Sequence, residues 1–172
     1  HLSFQWIYRK MAENSSFFKE IDKKANYITS LQNRANNLDV IRQSLTISFL
    51  NMKIDFKNIK NAIIIGDGFA SMTSLLIENN LVDRVYLINL RKTLLVDLIY
   101  LKKAIGDNRF NRELIFIDSK DCIKNLKSRH KFVAIEAENF QLLRYLEKEL
   151  VINIASFQEM SKKVIDNYFK YI

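Results

Sequence analysis

From residue 61 onward, short apolar runs rich in Ile, Val and Leu alternate with stretches of helical period. The runs fall at residues 62–65, 84–89, 113–118, 131–136 and 150–155. Helical stretches lie near residues 70–80, 92–105, 119–128, 138–148 and 157–171. That alternation folds as βαβ units around a parallel sheet with helices on both faces. The runs AIII, VYLI and LVINI are apolar throughout rather than at every second position, as strands buried on both sides require. The expectation is an α/β, Rossmann-like, mostly parallel sheet over residues 59–172.

Residues 1–58 read differently. Phe17, Phe18, Ile21, Ala25, Ile28 and Leu31 recur near helical spacing, and Leu38, Ile41, Leu45, Phe49 and Leu50 do so again. Asn36-Asn37 is the expected break. This is an N-terminal helical extension that either packs on the sheet domain or serves as a homo-oligomer arm. Trp6 and Tyr8 are expected to pack against the domain.

Composition narrows the classes. Lys and Arg number 27 against 19 Asp and Glu, a net charge of +8. The basic residues are spread along the chain, so they read as solvated surface rather than a nucleic-acid interface. The lone cysteine, Cys122, permits no intrachain disulfide and no cysteine-based zinc cluster, which fits a reducing, cytoplasmic compartment. No run approaches eighteen apolar residues, so no membrane span is expected. The opening HLSFQWIYRK is too short and too polar for a signal peptide. It lacks an initiator Met, so the chain is expected to begin inside a longer gene product or after a tag remnant, with His1 a remnant rather than a ligand.

The chain has three glycines and no proline. Two of the glycines, Gly66 and Gly68, sit between the first apolar run and the first helical stretch. A strand, a Gly-rich turn and a helix N-terminus together form a site for phosphate, ribose or carboxylate. The turn reads Gly66-Asp67-Gly68-Phe69-Ala70. A dinucleotide fingerprint would place its last glycine at Ser71. The methyltransferase form of the turn, G-x-G-x-G, would place it at Ala70, with an acid at the position of Ile64. Gly106 ends a helical stretch and is assigned only a capping role. The second run ends at Asn89-Leu90, about where a ribose-binding acid belongs. Asn in place of Asp exchanges a charge-assisted hydrogen bond for a neutral one, a loss on the order of 1 kcal/mol. Ligands of open α/β sheets bind beyond the carboxyl ends of the strands. Residues 66–70, 89–92, 118–121, 136–139 and 155–159 are therefore expected to line one crevice.

The C-terminal stretch INIASFQEMSKKVIDNYFKYI resembles the putative sugar O-methyltransferase family of S-adenosylmethionine-dependent enzymes. The matching residues are Asn153, Ser156, Phe157, Gln158, Glu159, Met160, Tyr168 and Phe169. The IIGDGF turn, the VYLINL run and LDVIRQS at residues 38–44 look like that family's segments in the same order. The resemblance implies a Rossmann-like methyltransferase sheet, S-adenosyl-L-methionine as cofactor, and a saccharide hydroxyl as acceptor in surface-polysaccharide synthesis. The family places SFQEM after its fourth strand, whereas LVINIA is the fifth run here. One of ELIFID and KFVAIE is then an addition or lies outside the sheet. The chain also ends where such a sheet would add an antiparallel hairpin.

On this reading Gly66, Asp67, Gly68, Phe69, Ala70, Asn89, Leu90, Asp118 and Asn153 meet the cofactor. Ser156 and Gln158 meet the acceptor, and Glu159 is the catalytic base. Glu159 equally suits a helix N-terminus as a favourable charge. Asp118 and Asp121 stand at a strand end, where adenine or a metal is one use and a helix N-cap at Asp118 or Ser119 the other. His130 is expected to be solvated structure and Cys122 to be core. Two further classes answer to the same residues: a non-catalytic binding or scaffold subunit, suggested by Ile64 and Asn89, and a nucleotide-binding enzyme using the same turn.

Overall fold

A computed structural model describes residues 2–172 of the chain; the reading of His1 lies outside them. Three helices lead: α1 (Leu2–Met11), α2 (Ser16–Leu31) and α3 (Leu38–Asn51). Ser15 caps α2 by accepting from Phe18 N at 3.1 Å, and Asn37 caps α3 by accepting from Val40 N at 3.2 Å. These caps satisfy backbone donors that a helix start leaves orphaned. There follow β1 (Asn61–Ile65), α4 (Ser71–Glu78), β2 (Arg84–Asn89), α5 (Arg91–Ile105), α6 (Asp107–Glu113) and β3 (Leu114–Phe116). The chain continues through α7 (Lys120–Ile123), β4 (Phe132–Glu136), a 3-10 stretch (Ala137–Tyr145) and β5 (Leu150–Asn153). It closes with a 3-10 turn (Ser156–Glu159) and α8 (Lys162–Phe169).

The five strands form one sheet in the order β3-β4-β2-β1-β5, and every pairing is parallel. This is an open α/β sheet of Rossmann-like kind. Leaving aside the three-residue edge strand β3, the order reads 3-2-1-4, the doubly wound pattern in which strand order reverses beside the first strand. ELIFID is thus the extra strand at the margin, and β5 pairs on the other side of β1. The switch point lies between β1 and β5.

Both faces of the sheet are apolar. Ala62, Ile64, Val85, Leu87 and Ile152 join one core, with Met72, Leu75 and Leu76 of α4 and Leu94, Leu98 and Leu101 of α5. Ile63, Ile65, Tyr86, Ile88, Val133 and Ile135 face the other, under Leu142, Leu143 and Tyr168. The N-terminal helices belong to the first core through Ile21, Ala25, Ile28, Val40 and Ile47. Each Ile and Val among them carries roughly 1.5–3 kcal/mol of burial, so the extension is integral to the packing rather than appended to it.

Several boundaries move from their expected places. The 113–118 strand shrinks to three residues at an exposed edge, where short strands discourage edge-to-edge pairing. Helix 119–128 stops after four residues. There Lys127 N donates to His130 Nδ1 at 3.1 Å and turns the chain. In place of a helix over 138–148 there is the 3-10 stretch Ala137–Tyr145, kinked at Asn139. The 157–171 helix is split at Met160 and Ser161, both extended, because Phe157 and Met160 turn toward the second core. His130 is buried rather than solvated, whereas Trp6 is 62% exposed rather than packed. Cys122 is half-buried against the second core. No helix of the described residues is long and apolar enough to cross a membrane.

Candidate functional site

The register aligns the strand ends. Ile65 pairs with both Ile88 and Asn153, and Asn89 pairs with Glu136. The segments leaving β1, β2, β4 and β5 therefore emerge side by side. They enclose a cavity of about 700 Å3, within the size range of small-molecule sites. Its wall includes Gly66–Phe69, Asn89-Leu90, Ala137-Glu138 and Ala155-Ser156 with Glu159. Four of the five segments expected to converge do so. A second hollow of about 450 Å3, between α1 and α2, includes none of these strand-end residues.

The glycine turn has an unusual backbone. Gly66, Gly68, Phe69 and Ala70 all have positive φ, at 71°, 60°, 74° and 52°. For residues with a Cβ the left-handed conformation costs about 1–2 kcal/mol each, so Phe69 and Ala70 must be held. Gln32 Nε2, fully buried, donates to Phe69 O at 3.1 Å and Tyr100 O at 3.2 Å. The Arg34 guanidinium lies 3.7 Å from the centre of the Phe69 ring, and Tyr100 packs edge-on against the same ring. Ala70 N donates to Asp97 Oδ1 at 3.3 Å. The connection between α2 and α3 thus clamps the turn from one side and α5 from the other, as a strained functional turn requires.

Asp67 does not reach into the cavity as a free ligand. Its Oδ1 accepts from Met72 N at 2.9 Å and its Oδ2 from Thr73 N at 2.8 Å. The anion site at the start of α4 is therefore filled by the chain's own carboxylate. Burial raises the Asp67 pKa against the lowering effect of hydrogen bonds from Thr73 and Met72.

Asn89 is similarly engaged. Its Nδ2 donates to Asp97 Oδ2 at 2.9 Å and its Oδ1 accepts from Leu90 N at 2.9 Å. Asp97 is wholly buried on the core face of α5. Burial, then the Asp67 carboxylate, push its pKa up to about 7, against hydrogen bonds from Asn89 and Ala70. Asp97 escaped the sequence reading although a signal was there: Leu94, Asp97, Leu98 and Leu101 share one helical stripe, and an acid on an apolar stripe is exceptional.

Beyond β5, Asn153 organises the SFQEM turn. Its Nδ2 donates to Ile65 O at 2.9 Å and also reaches Ser156 Oγ, while its Oδ1 accepts from Phe157 N at 3.1 Å. Ser156 Oγ donates to Ile65 O at 3.0 Å. Asn153 thus holds the turn rather than lining the cavity. Ser156 lines it while bonding to β1. Glu159 and Leu90 are both exposed and both stand in the cavity wall. Gln158 is exposed and lies outside the wall.

Asp118 stands apart. It follows the edge strand β3, which β4 and β2 separate from β1, and accepts from Cys122 Sγ at 3.2 Å. Asp121 pairs with Lys124 at 2.6 Å. Among the described residues no group of three His, Cys, Asp or Glu is placed to hold a metal ion.

The α2–α3 connection and α3 supply wall residues that the sequence alone did not assign: Arg34, Asp39, Arg42 and Gln43. Asp39 and Arg42 form an ion pair with each other. No protein-family model, curated protein or solved structure matches this chain.

Proposed function

We propose that the chain is an S-adenosylmethionine-dependent O-methyltransferase acting on a sugar hydroxyl in surface-polysaccharide synthesis. The observation that carries this is the cavity at the sheet's switch point, where the glycine turn and the SFQEM turn meet. The acceptor class rests on the resemblance of the SFQEM segment.

The residues present suit the cofactor. An added Cβ at Gly68 would meet no atom within 4 Å, so a ligand can approach the backbone there. Asp67, seated on the start of α4, disfavours a pyrophosphate at that helix, which argues against a dinucleotide. Glu138 and Glu159 place negative charge in the wall, favourable to a sulfonium. Gly66–Phe69 and Leu90 would hold the cofactor, with Asn153 bracing the turn from behind and Asn89, in the wall, tied to Asp97.

The cofactor supplies a methyl group already activated for transfer. What remains to the chain is alignment of the acceptor oxygen and removal of its proton. Glu159 is the acid in the wall from the SFQEM turn, and its carboxylate takes the acceptor proton. Ser156 fixes that turn to β1, which sets where Glu159 stands.

A second reading has one observation of its own. Both polar atoms of Asn89 are bonded within the chain, so its side chain offers ribose little. That suits a binding subunit without transfer activity. Calorimetric titration with S-adenosylhomocysteine separates the two: saturable binding supports the methyltransferase reading, and no heat at millimolar ligand supports the binding subunit.

A further inference from the structure

We infer that the outward stripe of α5 docks the protein on an anionic lipid surface, with the helix lying along that surface. The inference stands apart from the cofactor reading, because it concerns the outer side of a helix whose inner side packs on the sheet.

α5 has two unlike sides. Leu94, Asp97, Leu98 and Leu101 are buried. On the opposite side Lys92, Leu95, Val96, Ile99 and Lys103 fall within about 100° of one another around the helix axis. All five are exposed, Leu95 and Ile99 at 56% each. Single exposed apolar residues are ordinary, whereas neighbours that form one patch mark an interaction surface. Leu95 and Ile99 stand one turn apart, with Val96 beside them. At the margin Tyr100 packs edge-on against Phe69, itself 39% exposed. The apolar strip thus runs to the rim of the cavity, whose wall includes Phe69 and Leu90.

Charge points to what covers the stripe. α5 carries Arg91, Lys92, Lys102 and Lys103, and its one acid, Asp97, is wholly buried. Arg91 pairs with Glu136 and Lys102 with Asp107. Lys92 and Lys103 take part in no ion pair among the described residues. These two unpaired cations stand at the two ends of the stripe, and its three aliphatic side chains lie between them. A lysine stem follows apolar surface while its ammonium reaches the polar layer. Aliphatic side chains bracketed by free lysines, with no exposed acid on the helix, match the apolar interior and anionic headgroups of a lipid interface.

Other occupants fit the stripe less well. A second copy stacked antiparallel brings Lys92 onto Lys103, and one stacked parallel brings each lysine onto its own counterpart. Cation meets cation either way, which opposes the pairing. A protein partner anchors its side chains in pockets, and neither cavity described above includes Leu95, Val96 or Ile99. A lipid surface needs no pocket. Docked in this way, the chain holds the cavity rim at Phe69 and Leu90 close to the lipid.

The test uses the whole chain and vesicles of phosphatidylcholine, with and without phosphatidylglycerol, read by co-sedimentation. The wild-type chain is expected to bind the anionic vesicles at least about tenfold tighter than the neutral ones, and to lose binding as salt rises. Leu95→Ser/Ile99→Ser and Lys92→Gln/Lys103→Gln change exposed side chains only, so both should keep the wild-type thermal midpoint. Each is expected to bind anionic vesicles about tenfold more weakly. Lys120→Gln/Lys124→Gln removes the same charge at α7, on the other face of the sheet, and should stay within about twofold. Absence of any wild-type preference for anionic vesicles overturns the inference, and so does an equal loss in the α7 variant, which would reduce the effect to net charge. Loss in the lysine variant with none in Leu95→Ser/Ile99→Ser assigns the stripe to an acidic protein instead and also overturns it. Equilibrium sedimentation of the lipid-free chain covers the second copy: a dimer that Leu95→Ser/Ile99→Ser dissociates contradicts lipid docking.

Discussion

Ser156 packs so closely on Gly66 that a Cβ added to the glycine would collide with the serine side chain. Gly66 also has φ +71°, so two separate constraints meet at one position. The SFQEM turn is therefore seated directly on the glycine turn, across the switch point between β1 and β5. Gly66→Ala is expected to cost about 2–4 kcal/mol, combining left-handed strain and overpacking. In a double-mutant cycle read by urea denaturation, Ser156→Gly should recover part of that loss. Strict additivity of the two changes would show that the contact is not as close as described.

Gln32 braces the strained turn from the α2–α3 connection. Gln32→Leu would leave the carbonyls of Phe69 and Tyr100 without its amide donor. A stability loss of about 1–3 kcal/mol is expected, together with weaker ligand binding, because Phe69 and Ala70 are then freer to leave their left-handed conformation. Hydrogen exchange at residues 66–70 should quicken in this variant. Unchanged exchange would remove Gln32 as the brace.

The buried carboxylates set a pH dependence. Asp97 has a folded-state pKa of about 7 against an ordinary value of 3.8. A group whose pKa is raised on folding contributes most below its unfolded value, and that contribution is lost as pH rises through the folded value. Asp97 therefore favours the folded state below about pH 4 and progressively less up to about pH 7. Asp67 shifts in the same direction. Burial, then Arg129, lower the pKa of His130, which acts oppositely: its stabilising contribution is lost as pH falls below its ordinary value of 6.5. The informative quantity is the difference between chains. Asp97→Asn should flatten the decline in urea-unfolding free energy between about pH 4 and pH 7, and a parallel curve would contradict the Asp97 assignment.

Glu159 is predicted to act on the acceptor and not on the cofactor. Glu159→Gln should lower methyl transfer by about 100-fold or more while S-adenosylhomocysteine affinity stays within about twofold. Retained turnover would exclude it as the base. Loss of cofactor affinity would instead place it at the cofactor.

The sheet was legible because its strands are apolar on both faces, a pattern that a surface strand does not carry. Strand β2 lies where expected, residue for residue, and β1, β4 and β5 differ only at their ends. The short elements were less legible. Lys120–Ile123 and Ser156–Glu159 are set by individual side-chain hydrogen bonds: His130 turning back on Lys127, and Asn153 holding Ser156 and Phe157 while Asn153 and Ser156 both bond to Ile65 O of β1. No local periodicity records those. The cavity was half legible. The glycine turn and the SFQEM turn marked two walls, whereas Arg34 and Gln43 come from the α2–α3 connection and α3, a region that reads as packing alone. Asn89 was correctly placed at a strand end, but its engagement with Asp97 depends on a partner eight residues on. Asp118 was placed on the crevice because every strand end was treated alike. The sheet order puts β3 at the margin, so that strand's end lies away from the switch point.

The central claim is that the glycine turn cradles S-adenosylmethionine. Gly68→Asn tests it most directly. Asn tolerates a left-handed backbone, and a Cβ there meets open space, so the variant should fold with a thermal midpoint close to the wild type. Its side chain would, however, occupy the cradle. In calorimetric titration with S-adenosylhomocysteine, the wild-type chain should bind saturably and Gly68→Asn should bind at least about tenfold more weakly. Equal binding by the two folded proteins would contradict the claim.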